Sequence, residues 1–170
     1  MDTKINNKTN KNRVSLLLLG LIITGLLALI FIMSSQNGAQ SQGLSRSIVR
    51  YFRNHIALAG ALQDNPVFFQ ANFNIFLRKL VHFTEFFVLA GVLYFFLTQM
   101  KFKRWKIPNT VLTASFCVAA LDEFHQFFVR GRTALFTDVI VDFAGASLAV
   151  FIIHSVKRAK EKKRLLPPMA

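Results

Sequence analysis

Cysteine is almost missing from this chain. The single Cys117 excludes an intrachain disulfide and any cysteine framework for a metal. Lying in an apolar run, it reads as a small buried filler. Acidic residues are scarce as well, eight against twenty-one basic ones, for a formal net charge of +13. That excess does not point to nucleic acid, because the basic residues gather at the ends of segments and do not spread along one soluble face. No internal repeat and no stretch resembling a soluble domain is present. Also missing are an HExxH sequence, a nucleophile elbow, a P-loop and a paired Glu-x-x-His di-iron pattern.

What the chain has in quantity is long apolar runs. Several extend for about 20 residues, enough to cross a hydrocarbon core of about 30 Å as a helix. The class expected is an all-α integral membrane protein with four transmembrane helices. Residues 1–13 form a polar head carrying Lys4, Lys8, Lys11 and Arg13, and the first span covers 14–33. A cleavable signal peptide is the rival for that run, but its apolar region is typically about 7 to 15 residues long. Residues 34–76 form an extracytoplasmic segment that begins as a Ser-, Gln- and Gly-rich loop.

Within that segment, Leu44, Ile48, Tyr51, Phe52, Ala59 and Leu62 share one side of a helical wheel, and Arg46, Arg50 and Arg53 the other. This pattern predicts an amphipathic helix lying in the interface or packed on the bundle. Three further spans follow at about 77–100, 108–128 and 135–156, forming a core over 77–156. The basic knot KFKRWK separates the first two, Pro108 suits the first turn of the second, and residues 157–170 form a basic tail.

Counting Lys and Arg orients the chain. With both termini cytoplasmic, the head, the knot and the tail place four, four and six basic residues inside, against seven outside: Arg46, Arg50, Arg53, Arg78, Lys79, Arg130 and Arg132. The positive-inside rule favours that arrangement.

The same topology gathers the polar residues. Ionisable groups at membrane depth are costly, and they usually face a bundle interior or a wet cavity. The segment AALDEFHQFFVRGR, Ala119 to Arg132, sets Asp122, Glu123, His125 and Gln126 among apolar neighbours. At about 100° per residue, Arg78, His82 and Glu85 share a face of one span. Asp122, Glu123, Gln126 and Arg130 share a face of the next, continued by Ser115 and Ala119. Asp138 and Asp142 align with Gly145 and Ala149 on the last, and small residues let helices approach closely. All three faces reach the same depth near the outer surface.

A purely structural reading stands beside the functional one. The five carboxyls Glu85, Asp122, Glu123, Asp138 and Asp142 would then pair with Arg78, Lys79, His82, Arg130 and Arg132 to lock the helices together. Against this, burying ion pairs is an inefficient way to gain stability. Singly, His82 or His125 is more simply a satisfied interface histidine, Asp138 a helix cap, and Arg130 and Arg132 partners of lipid phosphates. His154 lies off these faces.

RKLVHFTEFFVLAGVL at 78–93, DEFHQFFVRGR at 122–132 and DVIVDFAG at 138–145 resemble the three signature segments of the VanZ-like family. Its members are small bacterial membrane proteins, and the founding member is associated with resistance to the glycopeptide teicoplanin. The resemblance implies that Lys79, His82, Glu85, Asp122, Glu123, Gln126, Gly131, Arg132, Asp138, Asp142 and Gly145 are characteristic positions. The chain departs from the pattern at Arg130, where proline is usual, and at Ala149, where a further glycine is common. The family name supplies no reaction.

Three functions compete. The first is an outer-leaflet pocket built from Arg78, Lys79, His82, Glu85, Asp122, Glu123, Gln126, Arg130, Arg132, Asp138 and Asp142. It would bind an anionic or polar envelope component, such as a lipid-linked or wall-precursor headgroup, because guanidinium forks suit phosphate and carboxylate. The second is acid/base or metal-assisted chemistry on a lipid phosphate, with His82, Glu85, Asp122 and Glu123 as catalytic candidates. The third is a proton or cation path, which the almost wholly apolar stretches Val88 to Phe96 and Val111 to Ala120 oppose. The first is preferred, with no metal, no cofactor and no nucleic acid assigned and the bilayer itself as the surrounding partner.

Overall fold

A computed structural model describes residues 2–36, 66–132 and 134–165 of the chain. Among these the architecture is all helical: α1 (Asp2–Ser35), α2 (Pro66–Gln99), α3 (Ile107–Phe127) and α4 (Phe136–Leu165). The interfacial helix expected over Leu44 to Leu62 falls outside the described residues. The helices run beyond the apolar stretches. α2 starts at Pro66, a residue pre-set for a first helical turn, and α4 continues through AKEKKR, whose members are mostly strong helix formers.

Among the described residues, three segments are long and apolar enough to cross a membrane: Asn10–Ser35, Ile75–Gln99 and Phe136–Lys163. α3, 21 residues long, is not among them, since its last two turns carry Asp122, Glu123, His125 and Gln126.

α2, α3 and α4 form the core as an alternating up-and-down set. At one end Tyr94, Ile107, Val111, Ala149 and Val150 pack together, and near the other Phe86, Leu89, Ala119 and Val139 meet Ile30 of α1. α1 is peripheral, with 6% of its apolar window buried against 33% for α2 and for α4. It touches the core along one stripe, Ile23, Leu26, Ile30 and Ser34, while Leu17 and Leu21 face outward. In a bilayer such outward leucines meet acyl chains, so no solvent penalty applies.

α4 lies against the backbone of α2 at Gly145, where an added Cβ would sit 2.2 Å from the Phe83 carbonyl oxygen. Cys117 corrects an expectation: it is exposed on α3, not buried. The helical period turns it to the outer side together with Phe116, away from buried Ser115 and Ala119.

Two reversals frame the core. α2 ends with Lys101 in the left-handed region (φ 56°), its amide donating to Thr98 O and that of Phe102 to Leu97 O. This crossed pair satisfies carbonyls that the helix end would leave bare. The α3–α4 bend turns on Gly131 at φ 77°, which glycine adopts without a steric penalty.

Candidate functional site

The 78–85 stretch of α2, the α3 end, the α4 start and the C-terminal end of α1 lie together. Helical alternation divides this end by polarity. Asp122, Glu123 and Gln126 point inward and are buried, while Leu121, Phe124, Phe127 and Phe128 of the same turns are exposed. His82, Asp138 and Asp142 complete a buried polar layer.

The layer has three parts. At its rim, Arg78 Nη2 and Lys79 Nζ both donate to Asp138, at 3.0 and 2.9 Å. Asp138 lies in the first turn of α4, but its carboxylate serves α2 and not its own helix end. Between α3 and the approach to α4, a Glu123 carboxylate oxygen accepts the Leu135 amide. This fixes the bend against α3.

Deepest are His82, Asp122 and Asp142, whose ligand-type atoms all lie within 4.8 Å of one another. His82 Nδ1 stands 3.8 Å from Asp142 Oδ1 and 3.9 Å from Glu85 Oε2. Both separations are too long for a hydrogen bond. Gln126 Nε2 donates to Asp122 Oδ2 at 2.9 Å, an i,i+4 pair that orients the carboxylate.

Arg132 reaches partners on α1 that its sequence position does not suggest. Its Nη2 donates to Met33 O at 2.9 Å and its Nε to Gln36 O at 3.1 Å. The guanidinium thus closes the C-terminal end of α1, satisfying carbonyls and complementing the negative end of the helix dipole. Burial draws its pKa below the ordinary arginine value, with the like charge of Arg78 the second cause.

Arg132→Ala is therefore expected to release α1 from the α3–α4 bend. The cost should be roughly 3 kcal/mol, as for two hydrogen bonds to a charged donor. The check is a short crosslink between cysteines introduced at Phe31 and His125, whose rings sit 4.5 Å apart, in a background lacking Cys117. The crosslink should be lost in Arg132→Ala and largely kept in Arg132→Lys, which retains the charge. Equal yields in all three proteins would remove the latch.

Of the residues that the sequence nominates, Arg78, Lys79 and Asp138 meet directly, as do Asp122 and Gln126. His82, Glu85 and Asp142 cluster without hydrogen bonds to one another. Arg130 stands apart, exposed on the bend. His125 turns toward Phe31 of α1. What sequence reasoning misses are backbone partners, the carbonyls of Met33 and Gln36 and the amide of Leu135. A backbone group leaves no signature in the residue alphabet, so no signal there could have found them.

A cavity of about 700 Å³ occupies the opposite end, lined among others by Tyr94, Arg104, Trp105, Lys157 and Glu161. Lys157 Nζ there lies 4.3 Å from the centre of the Tyr94 ring, and Arg104 pairs with Glu161. It holds none of the polar layer.

The model of one protein family, described as VanZ/LLP1, matches residues 18–157. No curated protein and no solved structure matches the chain.

Proposed function

The chain belongs to the VanZ/LLP1 family and is a membrane protein, and from that premise we propose that it works in the bacterial cell envelope by binding an anionic or polar envelope component. The component is a phosphate-bearing headgroup of a lipid-linked or wall precursor, held at the polar end of the bundle. Through it, susceptibility to glycopeptides such as teicoplanin would be altered.

In this reading the polar end faces the outer leaflet, both termini are cytoplasmic and α3 is a fourth crossing. Its 21 residues, at about 1.5 Å each, match the roughly 30 Å of hydrocarbon. Basic residues at the head, the KFKRWK knot and the tail support the orientation.

One observation carries the reading. Arg78 and Lys79 converge on a single carboxylate at a rim that is partly open, their side chains 26% and 32% exposed. Asp138 is the resident anion of a two-cation clamp, and a phosphate arriving from the open side meets the same donors. Exposed Arg130 stands on the adjacent bend.

The test uses the full chain in nanodiscs and asks how well native mass spectrometry detects retention of a polyprenyl diphosphate lipid against phosphatidylcholine. Arg130→Gln should weaken retention of the diphosphate lipid by about tenfold, the worth of one charge-assisted contact. Equal retention of both lipids, or no change in Arg130→Gln, would overturn the proposal.

A further inference from the structure

The deepest part of the polar layer has more negative charge than its surroundings answer. Among the described residues, five carboxyls, those of Glu85, Asp122, Glu123, Asp138 and Asp142, face three cations, Arg78, Lys79 and Arg132. Arg78 and Lys79 both bond to Asp138, while Arg132 donates to neutral carbonyls at the end of α1, so its charge still counts toward the layer. Summed over the described residues, the layer carries a formal charge of −2, and among them no lysine or arginine bonds to Glu85, Asp122 or Asp142.

Protonation would remove that charge, but a carboxylic acid is a hydrogen-bond donor. Asp142 Oδ1, Glu85 Oε2 and His82 Nδ1 are all buried and make no hydrogen bond among the described residues. His82 is 7% exposed and Asp142 1%. Buried polar atoms of this kind almost always have a partner.

Their spacing suits a shared partner better than each other. Two donors at about 2.1 Å from one ion stand 3 to 4.2 Å apart as the angle between them opens from about 90° to about 180°. The 3.8 and 3.9 Å separations from His82 Nδ1 fall inside that window. The whole His82, Asp122 and Asp142 set spans 4.8 Å, so its widest pair must close by roughly 1.4 Å to reach the donor spacing of about 3.4 Å around a tetrahedral ion. Gln126 holds the Asp122 carboxylate from behind, as the outer partners of metal ligands commonly do.

We propose that His82, Asp122 and Asp142, with Glu85 as a fourth donor, bind one divalent first-row transition cation such as Zn²⁺ or Mn²⁺. One imidazole nitrogen among carboxylate oxygens favours these ions over Mg²⁺ and Ca²⁺, which prefer all-oxygen surroundings. A 2+ ion cancels the two surplus charges. The site is independent of the headgroup reading, since none of its ligands belongs to the Arg78–Asp138–Lys79 clamp.

The full chain, purified in detergent and stripped with chelator, is titrated with Zn²⁺ alone, with no lipid headgroup added. Bound metal is counted by elemental analysis after gel filtration. The expected result is about one Zn²⁺ per chain, bound at least tenfold more tightly than Mg²⁺ and lost in both His82→Ala and Asp142→Asn.

Should those variants misfold, the protein His55→Ala/His125→Ala/His154→Ala keeps His82 as its only histidine. Loaded with Cu²⁺, it should show one imidazole nitrogen by pulsed electron paramagnetic resonance. A chain that retains less than about a tenth of an ion, prefers Mg²⁺, keeps its Zn²⁺ in folded His82→Ala, or gives no imidazole signal overturns the site. Failure there leaves the lipid test above unaffected, because Arg130 touches none of these residues.

Discussion

Gly145→Ala should lower the melting temperature of the purified protein by roughly 6–12 °C. That range corresponds to a loss of about 3 kcal/mol in a chain of this size. The added methyl carbon would stand 2.2 Å from the Phe83 carbonyl oxygen and 3.1 Å from its carbon. Those are backbone atoms of a neighbouring helix, so no side chain can swing away, and α4 must shift off α2. The shift would disturb the layer too, since Asp142 lies one turn before Gly145 and His82 next to Phe83.

The contrast between glycines makes the effect specific. At Gly91 an added Cβ meets only Ile153 Cδ1 at 3.9 Å, and at Gly20 and Gly25 nothing within 4 Å. Alanine at those positions should be neutral or stabilising by up to about 1 kcal/mol through helix propensity. Thermal unfolding of the four single variants side by side checks this. If Gly145→Ala melts with Gly91→Ala, the close approach of α2 and α4 is wrong.

The second large effect concerns Asp138. Asp138→Asn keeps the shape but strips Arg78 and Lys79 of their common counter-charge. Breaking a buried ion pair from one side costs about 3–5 kcal/mol. Both cations are partly open to solvent, so roughly 2–3 kcal/mol is expected after screening. Much of that loss is the penalty of stranded cations, so removing one of them should restore stability. In the double variant Arg78→Met/Asp138→Asn, a coupling of about 1 kcal/mol or more is expected from a double-mutant cycle on denaturation. Strict additivity would mean that Arg78 and Asp138 do not interact.

Much of the inward geometry is legible in the sequence because a helix repeats every 3.6 residues. Asp122, Glu123 and Gln126 fall on one arc, and so do Asp138, Asp142, Gly145 and Ala149, and the structure buries all seven. The membrane class is legible for a simpler reason, the length of the apolar runs. The pairing of individual charges is not. Arg132 and Arg130 are two residues apart on one bend, yet one is tied to α1 and the other exposed. Which of them turns inward depends on where the end of α1 comes to rest, a matter of packing between segments far apart in sequence. The meeting of His82 with Asp122 and Asp142 has the same character. Periodicity assigns each to a face, but the rotation and height of three helices decide whether they stand within reach of one another. Cys117 shows the converse error, an apolar neighbourhood in sequence taken for burial, whereas in lipid an apolar face can look outward.

The latch between Arg132 and α1 also dictates an order of events during biosynthesis. Its two ends are separated by 96 and 99 positions along the chain. The ribosome therefore delivers α1 to the bilayer well before the residue that fastens it exists. Until the last hairpin emerges, the carbonyls of Met33 and Gln36 lack this donor, and the first helix is held only by the packing of its Ile30 stripe on α2 and α3. Completion of the final bend is then the moment at which the end of the first helix is fastened to the rest.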